Sequence, residues 1–278
     1  MSARSNDVAK YISFLNLEVE APSYAYLERI CQAHLNTFPF ENISKLLYFR
    51  DHNYGNFEVP SFEKFIRAFE KHHYGGTCYT LNSNLMILLK KLGFTCYHIM
   101  LGKEHMGIVV KIGDERFYVD CGATAPFFKP VRFENEHNNK SFFGSDKVSL
   151  LPVDPEKYEY KYERYINGKQ SGKTWNFHSR REITMDDFLQ VIETSNKPGA
   201  TFMSILRCHL YQTDQQRSVS LVNNKFTIRY SNGETTVTTL LTPEEIRSVI
   251  ADEFNLPKLP VLEAVNVLKE LDVDIFAE

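Results

Sequence analysis

The spacing of the apolar residues changes near Thr95, and this change constrains the fold more than any other feature of the chain. Before Thr95 the apolar residues recur every three or four positions, which is typical of one face of an α-helix. After Thr95 they alternate with polar residues, which is typical of a β-strand with one buried face. The chain is therefore predicted to be an α+β protein in which helices precede strands.

Three regions follow from this pattern, with boundaries near residues 95 and 197. The first predicts four helices, at 7–15, 23–37, 61–71 and 78–92. The second predicts a small barrel or strongly curved antiparallel sheet and then a helix at 184–195, with strands at 95–101, 105–111, 116–121, 131–133, 158–166 and 174–179. The third predicts two helices that start at Pro243 and Pro260, after strands at 204–212, 217–221, 225–230 and 235–240.

The composition argues against several classes of protein. The chain has a net charge of −3, and its 32 basic and 35 acidic residues are mixed along the sequence. This pattern indicates neither a nucleic-acid-binding surface nor a polybasic membrane-binding surface. No apolar run reaches the roughly 18 residues of a membrane span, and no apolar leader follows Met1, so we expect a cytoplasmic protein. Five scattered cysteines without a CxxC pair favour reduced thiols over disulfides or a zinc site, and we expect no metal.

One of these cysteines lies where a reactive thiolate is expected. Cys78 follows Gly75-Gly76-Thr77 and opens the predicted helix at 78–92. Unpaired N–H groups and the positive end of the helix dipole favour a thiolate at such a position, and Thr77 is expected to cap the first turn. The two glycines are expected to leave open space through which a substrate reaches the sulfur.

A base and an orienting carboxylate are predicted from the register of one hairpin. If Gly113-Asp114 is its two-residue loop, the numbers of paired residues sum to 227, so His105 faces Gly122 and Gly107 faces Asp120. His105 and Asp120 are then diagonal neighbours on one face, close enough for a hydrogen bond. Either residue alone is typical of an ordinary sheet histidine or turn aspartate, but together with Cys78 they predict a Cys-His-Asp triad.

The sequence resembles the arylamine N-acetyltransferase family over nearly its whole length. The motifs are 34–42, which reads His-Leu-Asn-Thr-Phe-Pro-Phe-Glu-Asn, then Gly75-Gly76-Thr77-Cys78-Tyr79, His105 and 118–122, which reads Tyr-Val-Asp-Cys-Gly. This resemblance implies a helical bundle at 1–94 that carries the nucleophile, a central antiparallel β-barrel at 95–197 that carries His and Asp, and an α/β lid at 198–278. It also implies a catalytic core like that of cysteine proteases and transglutaminases.

The resemblance implies an activity as well as a fold. Cys78 would take an acetyl group from acetyl-coenzyme A as co-substrate and pass it to an arylamine, arylhydrazine or N-hydroxyarylamine in a ping-pong reaction of xenobiotic metabolism. His105 would activate Cys78 and Asp120 would orient His105. Phe40 and Phe202 match positions that line the acceptor pocket, and Gly122 lies at its mouth. Small molecules, rather than nucleic acid or membranes, are the expected partners.

Three departures from the family pattern concern the surroundings of the thiol. Phe14 and Tyr74 stand where the family has arginines that pair with the glutamate equivalent to Glu41, and Thr80 stands where it has a glutamate. A buried, unpaired carboxylate is costly, so Glu41 is expected to be exposed, protonated or held by other donors. After Asp120, the usual glycine-phenylalanine-glycine run is replaced by Gly122-Ala123-Thr124.

The sequence leaves other functions open. The lost arginines favour a catalytically weak paralogue that binds coenzyme A or aromatic ligands, whereas the intact triad argues for an enzyme. The same thiol also serves related acyl transfers, such as amide synthesis from a carrier-bound acyl chain or protease-like and transglutaminase-like reactions.

Overall fold

The structure, a computed structural model, describes residues 3–134 and 139–277. Within these ranges the chain forms eight α-helices, and none of them is long and apolar enough to cross a membrane. Their bounds are α1 Ala3–Phe14, α2 Tyr24–Thr37, α3 Ile43–Asp51, α4 Phe62–His72, α5 Cys78–Lys91, α6 Met185–Ser195, α7 Pro243–Asp252 and α8 Val261–Glu270.

In the described part of the chain, the strands pair in antiparallel fashion and form three sheets. Their bounds are β1 Phe40–Glu41, β2 Thr95–Leu101, β3 His105–Ile112, β4 Glu115–Val119, β5 Asn139–Phe143, β6 Asp146–Asp154, β7 Glu159–Ile166, β8 Lys169–Gln170, β9 Trp175–His178, β10 Arg207–Gln212, β11 Arg217–Val222, β12 Lys225–Tyr230 and β13 Thr235–Thr239. The sheet orders are β1-β10-β11-β12-β13, β2-β3-β4 and β5-β6-β7-β8, with β9 also paired to β7.

The mixed α+β class is confirmed, but the predicted barrel is wrong in one respect. Within the described ranges no sheet closes on itself: β2–β4 and β5–β9 are separate open sheets. The strand predicted at 131–133 is only a bridge between Val131 and Tyr118. The division at residues 94 and 197 stays a prediction, and β1 already links the first region to the third by pairing with β10.

Five elements were missed by the sequence prediction, namely α3, β1, β5, β6 and β8. The segment 43–51 is short, and six of its nine residues are buried, including Ser44 and Lys45, so it lacks a polar face. In β6, Val148 and Leu150 alternate inward as a strand requires, but Pro152 follows them and coincides with an irregularity in the pairing. The strand signal was therefore present but interrupted.

The helix α5 lies in one of the two large apolar cores. Its residues Leu81, Leu85, Leu88 and Leu89 are fully buried and pack in one cluster with β3 and β4 side chains. The helix ends where Gly93 adopts a left-handed conformation, with φ of 92°, and Phe94 donates a backbone hydrogen bond to Leu89. This packing holds the N-terminal end of α5, and with it Cys78, against the β2–β4 sheet.

The short strand β1 connects the start of α5 to the C-terminal sheet. Phe40 pairs with His209 of β10 on one side and forms a parallel bridge with Gly76 on the other. Asn42, which follows β1 and is fully buried, donates to the carbonyls of Phe202 and Ile205 and accepts from the backbone N–H of Arg207. One carboxamide therefore fixes three backbone groups of the C-terminal region.

The C-terminal sheet has one apolar and one polar face. Cys208, Leu210, Val219 and Leu221 form the apolar face, which packs in one core with residues of α3, α7 and α8. The alternate residues form what we call the polar face: Arg207, His209, Tyr211, Ser218, Ser220 and Arg229. The polar face is turned away from α3, α7 and α8, and Tyr211 on it packs in the cluster that includes α2 and α5 residues and donates to the carbonyl of Thr124.

We predict that Asn42→Ala lowers the free energy of unfolding by about 2 to 4 kcal/mol, because two carbonyls and one N–H lose their partners in a buried site. Asn232→Ala is the matched control, since Asn232 is exposed and accepts only a local bond from Glu234. Urea unfolding followed by circular dichroism measures both changes. Equal stability of the two variants would show that Asn42 does not hold the β1–β10 junction.

Candidate active site

Cys78 is the first residue of α5 and is 9% exposed. Thr77 occupies the N-cap position in an extended conformation, but its side chain makes no capping hydrogen bond within the described chain, so the expected side-chain cap is wrong. The first-turn N–H groups of a helix have no partner inside the helix, and they lie beside the sulfur here.

The two glycines before Cys78 serve close packing, which corrects the expectation of open space. A Cβ atom on Gly75 would lie 1.9 Å from the carbonyl oxygen of Pro39. Gly76 has φ of 135°, and a Cβ atom there would lie 2.6 Å from the Cβ of Thr80. Only glycine fits at either position, because backbone and side-chain atoms already fill the space.

The predicted hairpin register is confirmed. The pairs Ile112–Glu115 and Ile108–Val119 both sum to 227, and β4 ends at Val119, one residue before Asp120. Nε2 of His105 lies 2.7 Å from Oδ2 of Asp120, as the diagonal placement required. The turn Gly113-Asp114 therefore determines the contact between the base and the carboxylate.

Asp120 is buried and accepts hydrogen bonds from four groups. Besides His105, Tyr118 Oη donates to Oδ2 at 2.6 Å, while Asn82 Nδ2 and the backbone N–H of Gly122 donate to Oδ1 at 2.8 and 2.9 Å. Burial alone would raise the pKa of Asp120, but the charge and hydrogen bond of His105 and the other donors hold it below its ordinary value. The carboxylate is therefore charged and fixed in orientation.

His105 contacts both of the other triad residues. Burial alone would lower the pKa of His105, but the charge and hydrogen bond of Asp120, with a further hydrogen bond to Cys78, raise it to about 10. Because Asp120 occupies Nε2, Nδ1 is the ring nitrogen that remains for Cys78. The three predicted residues therefore lie in the order thiol, imidazole, carboxylate.

Trp175, the only tryptophan, covers the imidazole and was given no role from the sequence. Its ring stacks on His105 with centroids 4.7 Å apart and planes inclined by 6°. Its Nε1 donates to Glu104 at 3.0 Å, and Lys173 pairs with the same carboxylate at 2.7 Å. Sequence alternation placed Trp175 on a strand, but no local pattern indicates which ring a residue 70 positions away will cover.

A cavity of about 520 Å³ opens beside Cys78 and contains all three residues predicted to bind substrate. Phe40 and Phe202 form an edge-to-face pair at its wall, with ring centroids 5.3 Å apart. Gly122 lies against the nucleophile, since a Cβ atom there would be 2.6 Å from Cα of Cys78. The exposed lining of the cavity is mostly apolar and includes a smaller number of polar groups, as small-molecule sites commonly do.

Glu41 is buried and held by neutral donors, one of the three expected outcomes. Ser44 donates through its backbone N–H at 2.8 Å and its hydroxyl at 2.6 Å, and the N–H of Gly75 donates at 3.1 Å. Burial raises the pKa of Glu41 to about 7 in spite of these bonds. In place of the expected arginines, Phe14 packs on Phe69 and Tyr74 packs on Tyr48.

Lys45 is a second site residue that the sequence did not indicate, because α3 itself was missed. It lines the cavity, is 6% exposed, and donates to Ser195 Oγ at 2.9 Å and Asn196 Oδ1 at 2.7 Å. Burial lowers the pKa of Lys45 to about 8, against a smaller opposing effect of Cys78. Both partners lie at the C-terminal end of α6, where the helix dipole stabilises a cation.

Comparison with known proteins places this geometry in a family context. A family model described as N-acetyltransferase matches residues 23–260. No curated protein matches the chain.

Solved structures share the fold over nearly the whole chain. An arylamine N-acetyltransferase from Salmonella typhimurium has a TM-score of 0.79 at 15% identity, over 97% of this chain and 99% of its own. The enzyme from Mycobacterium marinum in complex with CoA has a TM-score of 0.75 at 16% identity, over 95% and 98%. One from Bacillus cereus, described as having a Cys-His-Glu triad, has a TM-score of 0.72 at 20% identity, over 92% and 99%.

We predict that Asp120→Asn lowers the pKa of His105 from about 10 to below its ordinary value of 6.5, because burial is then no longer opposed by a carboxylate. NMR titration of the protein with ¹³C-labelled histidine measures the change, and His105→Gln identifies the signal. The other histidine signals should keep their midpoints. An unchanged midpoint for His105 would contradict the role of Asp120 as the source of the shift.

Proposed function

This chain belongs to the arylamine N-acetyltransferase family, and from that premise we propose that it transfers an acetyl group from acetyl-coenzyme A through Cys78 to an arylamine, arylhydrazine or N-hydroxyarylamine. The observation that carries the proposal is the hydrogen-bonded series Cys78, His105 and Asp120, of which Cys78 and His105 line one cavity. The relative from Mycobacterium marinum binds CoA, which supports the donor class.

In the first half-reaction, Cys78 is the nucleophile. The reacting pair is the thiolate of Cys78 and the protonated imidazole of His105, which is hydrogen-bonded to Cys78. Sγ attacks the thioester carbonyl carbon, the bond from that carbon to the sulfur of coenzyme A breaks, and the leaving thiolate takes the proton of His105. The N–H groups at the start of α5 are suited to stabilise the oxyanion that forms.

In the second half-reaction, the amine nitrogen attacks the acetyl carbon of the Cys78 thioester. His105, now neutral, accepts the proton of the nitrogen, the carbon–sulfur bond to Cys78 breaks, and the imidazolium–thiolate pair forms again. Phe40 and Phe202 offer an aromatic wall for the ring of the acceptor. The enzyme ends each cycle in its starting state.

Asp120 acts as a positioning residue in this proposal. Its four donors fix the carboxylate, and the bond to Nε2 keeps Nδ1 of His105 directed at Cys78. Trp175 covers one face of the imidazole and limits the entry of water beside it. Residues of α5, β4, β9 and the segment after β4 therefore support the triad, although the arginines usual in the family are absent.

We predict that incubation with acetyl-coenzyme A adds one acetyl group to the protein, seen by intact mass, and that Cys78→Ala abolishes this addition. Cys96→Ala is the matched control, because Cys96 is buried in β2 and does not line the cavity. Asp120→Asn should fold, but its rate of acylation should fall by about 100-fold or more, because the imidazole loses its orienting partner.

The fate of the acetyl group separates the enzyme from a weak paralogue. Addition of 4-methylaniline should discharge the acetyl-protein and yield the acetylated amine, measured by chromatography. If no acetyl group is added at any pH, or if Cys78→Ala is still acetylated, the proposed function is wrong. An acetyl-protein that only hydrolyses would point to a ligand-binding paralogue instead.

A further inference from the structure

The cavity beside Cys78 carries an excess of positive charge. Among its lining residues the only carboxylate is Glu104, which already accepts from Lys173 and Trp175. The basic residues of the lining are Lys45, His105, Arg164, Lys173 and Arg207. Since the whole chain has a net charge of −3, this excess is local to the cavity.

Most of these cations have a partner that accounts for them. His105 is paired with Asp120, Lys173 with Glu104, and Lys45 lies at the C-terminal end of α6. Arg164 is bidentate to Asp146 and also donates to Thr124 Oγ1 at 3.0 Å. These groups are therefore held by the protein itself and need no ligand.

Arg207 is different, because it lacks a carboxylate partner within salt-bridge distance among the residues that the structure describes. Its side chain donates through Nη1 to Ser220 Oγ at 2.6 Å and to the carbonyl of Leu221 at 3.1 Å. These two bonds use one end of the guanidinium and leave Nε and Nη2 for the cavity that it lines. Burial, followed by the charge of Arg164, lowers the pKa of Arg207 to about 10, so its surroundings favour an added negative charge.

The positive field extends over the polar face of the C-terminal sheet. Burial and then the charges of Arg207, Arg164 and Arg229 hold the pKa of His209 well below its ordinary value. Arg229, on β12, also has no salt bridge within the described ranges. The charge of Asp146 partly offsets the positive field at Arg229. Of these three arginines, only Arg164 has a carboxylate within salt-bridge distance among the described residues.

The strand register places Arg207 at a useful distance from the thiol. Phe40 lies between Gly76 and His209, so these two residues are two strand spacings apart, about 10 Å. The segment at Gly76 runs parallel to β1, whereas β10 runs antiparallel to it. Cys78, two residues after Gly76, and Arg207, two residues before His209, therefore both lie toward the C-terminal end of β1. The chain of β1 lies between them, and its residue Phe40 shares the face of Arg207.

We propose that Arg207 forms an anion subsite for the acceptor, so that the protein prefers aromatic amines that carry a carboxylate opposite the amine. The ring lies against Phe40 and Phe202, the nitrogen faces Cys78, and the carboxylate takes hydrogen bonds from Nε and Nη2 of Arg207. This inference rests on the proposed function for the identity of the acceptor amine.

The separation argues against the phosphates of coenzyme A as the anion. They are joined to the thioester sulfur through the whole pantetheine arm, which is much longer than the span between Cys78 and Arg207. A carboxylate on an aromatic ring fits this span, and a carboxylate on the transferred acyl group is the remaining source. The experiment therefore separates an acceptor carboxylate from an acyl carboxylate.

Binding without any acyl donor tests the subsite independently of turnover. By isothermal titration, 4-aminobenzoate should bind about tenfold tighter or more than 4-aminobenzamide, which has the same shape and no charge. Bound 4-aminobenzoate should slow the alkylation of Cys78 by iodoacetamide, which places it in the cavity. Equal affinity of the two compounds, or no protection of Cys78, would overturn the inference.

Variants locate the preference at one guanidinium. Arg207→Gln should reduce the ratio of the two affinities to about one, while Arg207→Lys keeps part of it through the charge alone. Arg217→Gln is the matched control, because Arg217 lies in the same sheet and is paired with Glu253. It should keep the wild-type ratio, and thermal unfolding checks that each variant is folded.

Turnover distinguishes the sources of the carboxylate. With the acetyl-protein, the rate of discharge should favour 4-aminobenzoate over 4-aminobenzamide in the wild type and lose this preference in Arg207→Gln. If Arg207→Gln instead slows acylation by succinyl-coenzyme A and keeps the preference between the amines, the subsite reads the acyl group and the proposal is overturned. If the wild type forms no acetyl-protein, the proposed function fails while the titration still decides the anion subsite.

Discussion

The carboxylate of Asp120 is the group on which the arrangement of the site depends. A charged group with no access to water is tolerated only when donors surround it, and here they come from β3, β4, α5 and the segment after β4. Asn82 also accepts from the N–H of Cys121 and donates to the carbonyl of Met106, so α5 is tied to both sides of the hairpin. Satisfying one charge therefore fixes the helix that carries Cys78 against the strand that carries His105.

The glycines near Cys78 are the second constraint. They act because they have no side-chain volume, rather than because their backbone is conformationally free. Gly75 lies against Pro39, Gly76 against Thr80 and Gly122 against Cys78. Each lets two backbone segments approach more closely than a side chain allows, which brings β1, the start of α5 and the end of β4 together. The cavity lies beside this closely packed junction, so the open space is found along Phe40 and Phe202 instead.

Sequence reasoning found the parts of the site that are set by local rules. The contact between His105 and Asp120 follows from a two-residue turn, because the loop fixes every pair of the hairpin. The helix that starts at Cys78 follows from apolar spacing. Trp175 and Arg207 could not be found this way, because their positions depend on which strands meet in space. Closure of the barrel could not be predicted for the same reason, because short alternating strands predict sheets but not how many sheets form or whether one of them closes.

Glu41 shows how the surroundings of the thiol tolerate the loss of two family arginines. The role expected for the arginines is to compensate a buried charge, and Ser44 and Gly75 compensate it with hydrogen bonds alone. Neutral donors do this less completely than a cation, and burial accordingly raises the pKa of Glu41 to about 7. The bond to Gly75 still joins the glycine segment to β1. The link to the start of α5 is therefore kept by hydrogen bonds, with no cation within salt-bridge distance of Glu41 among the described residues.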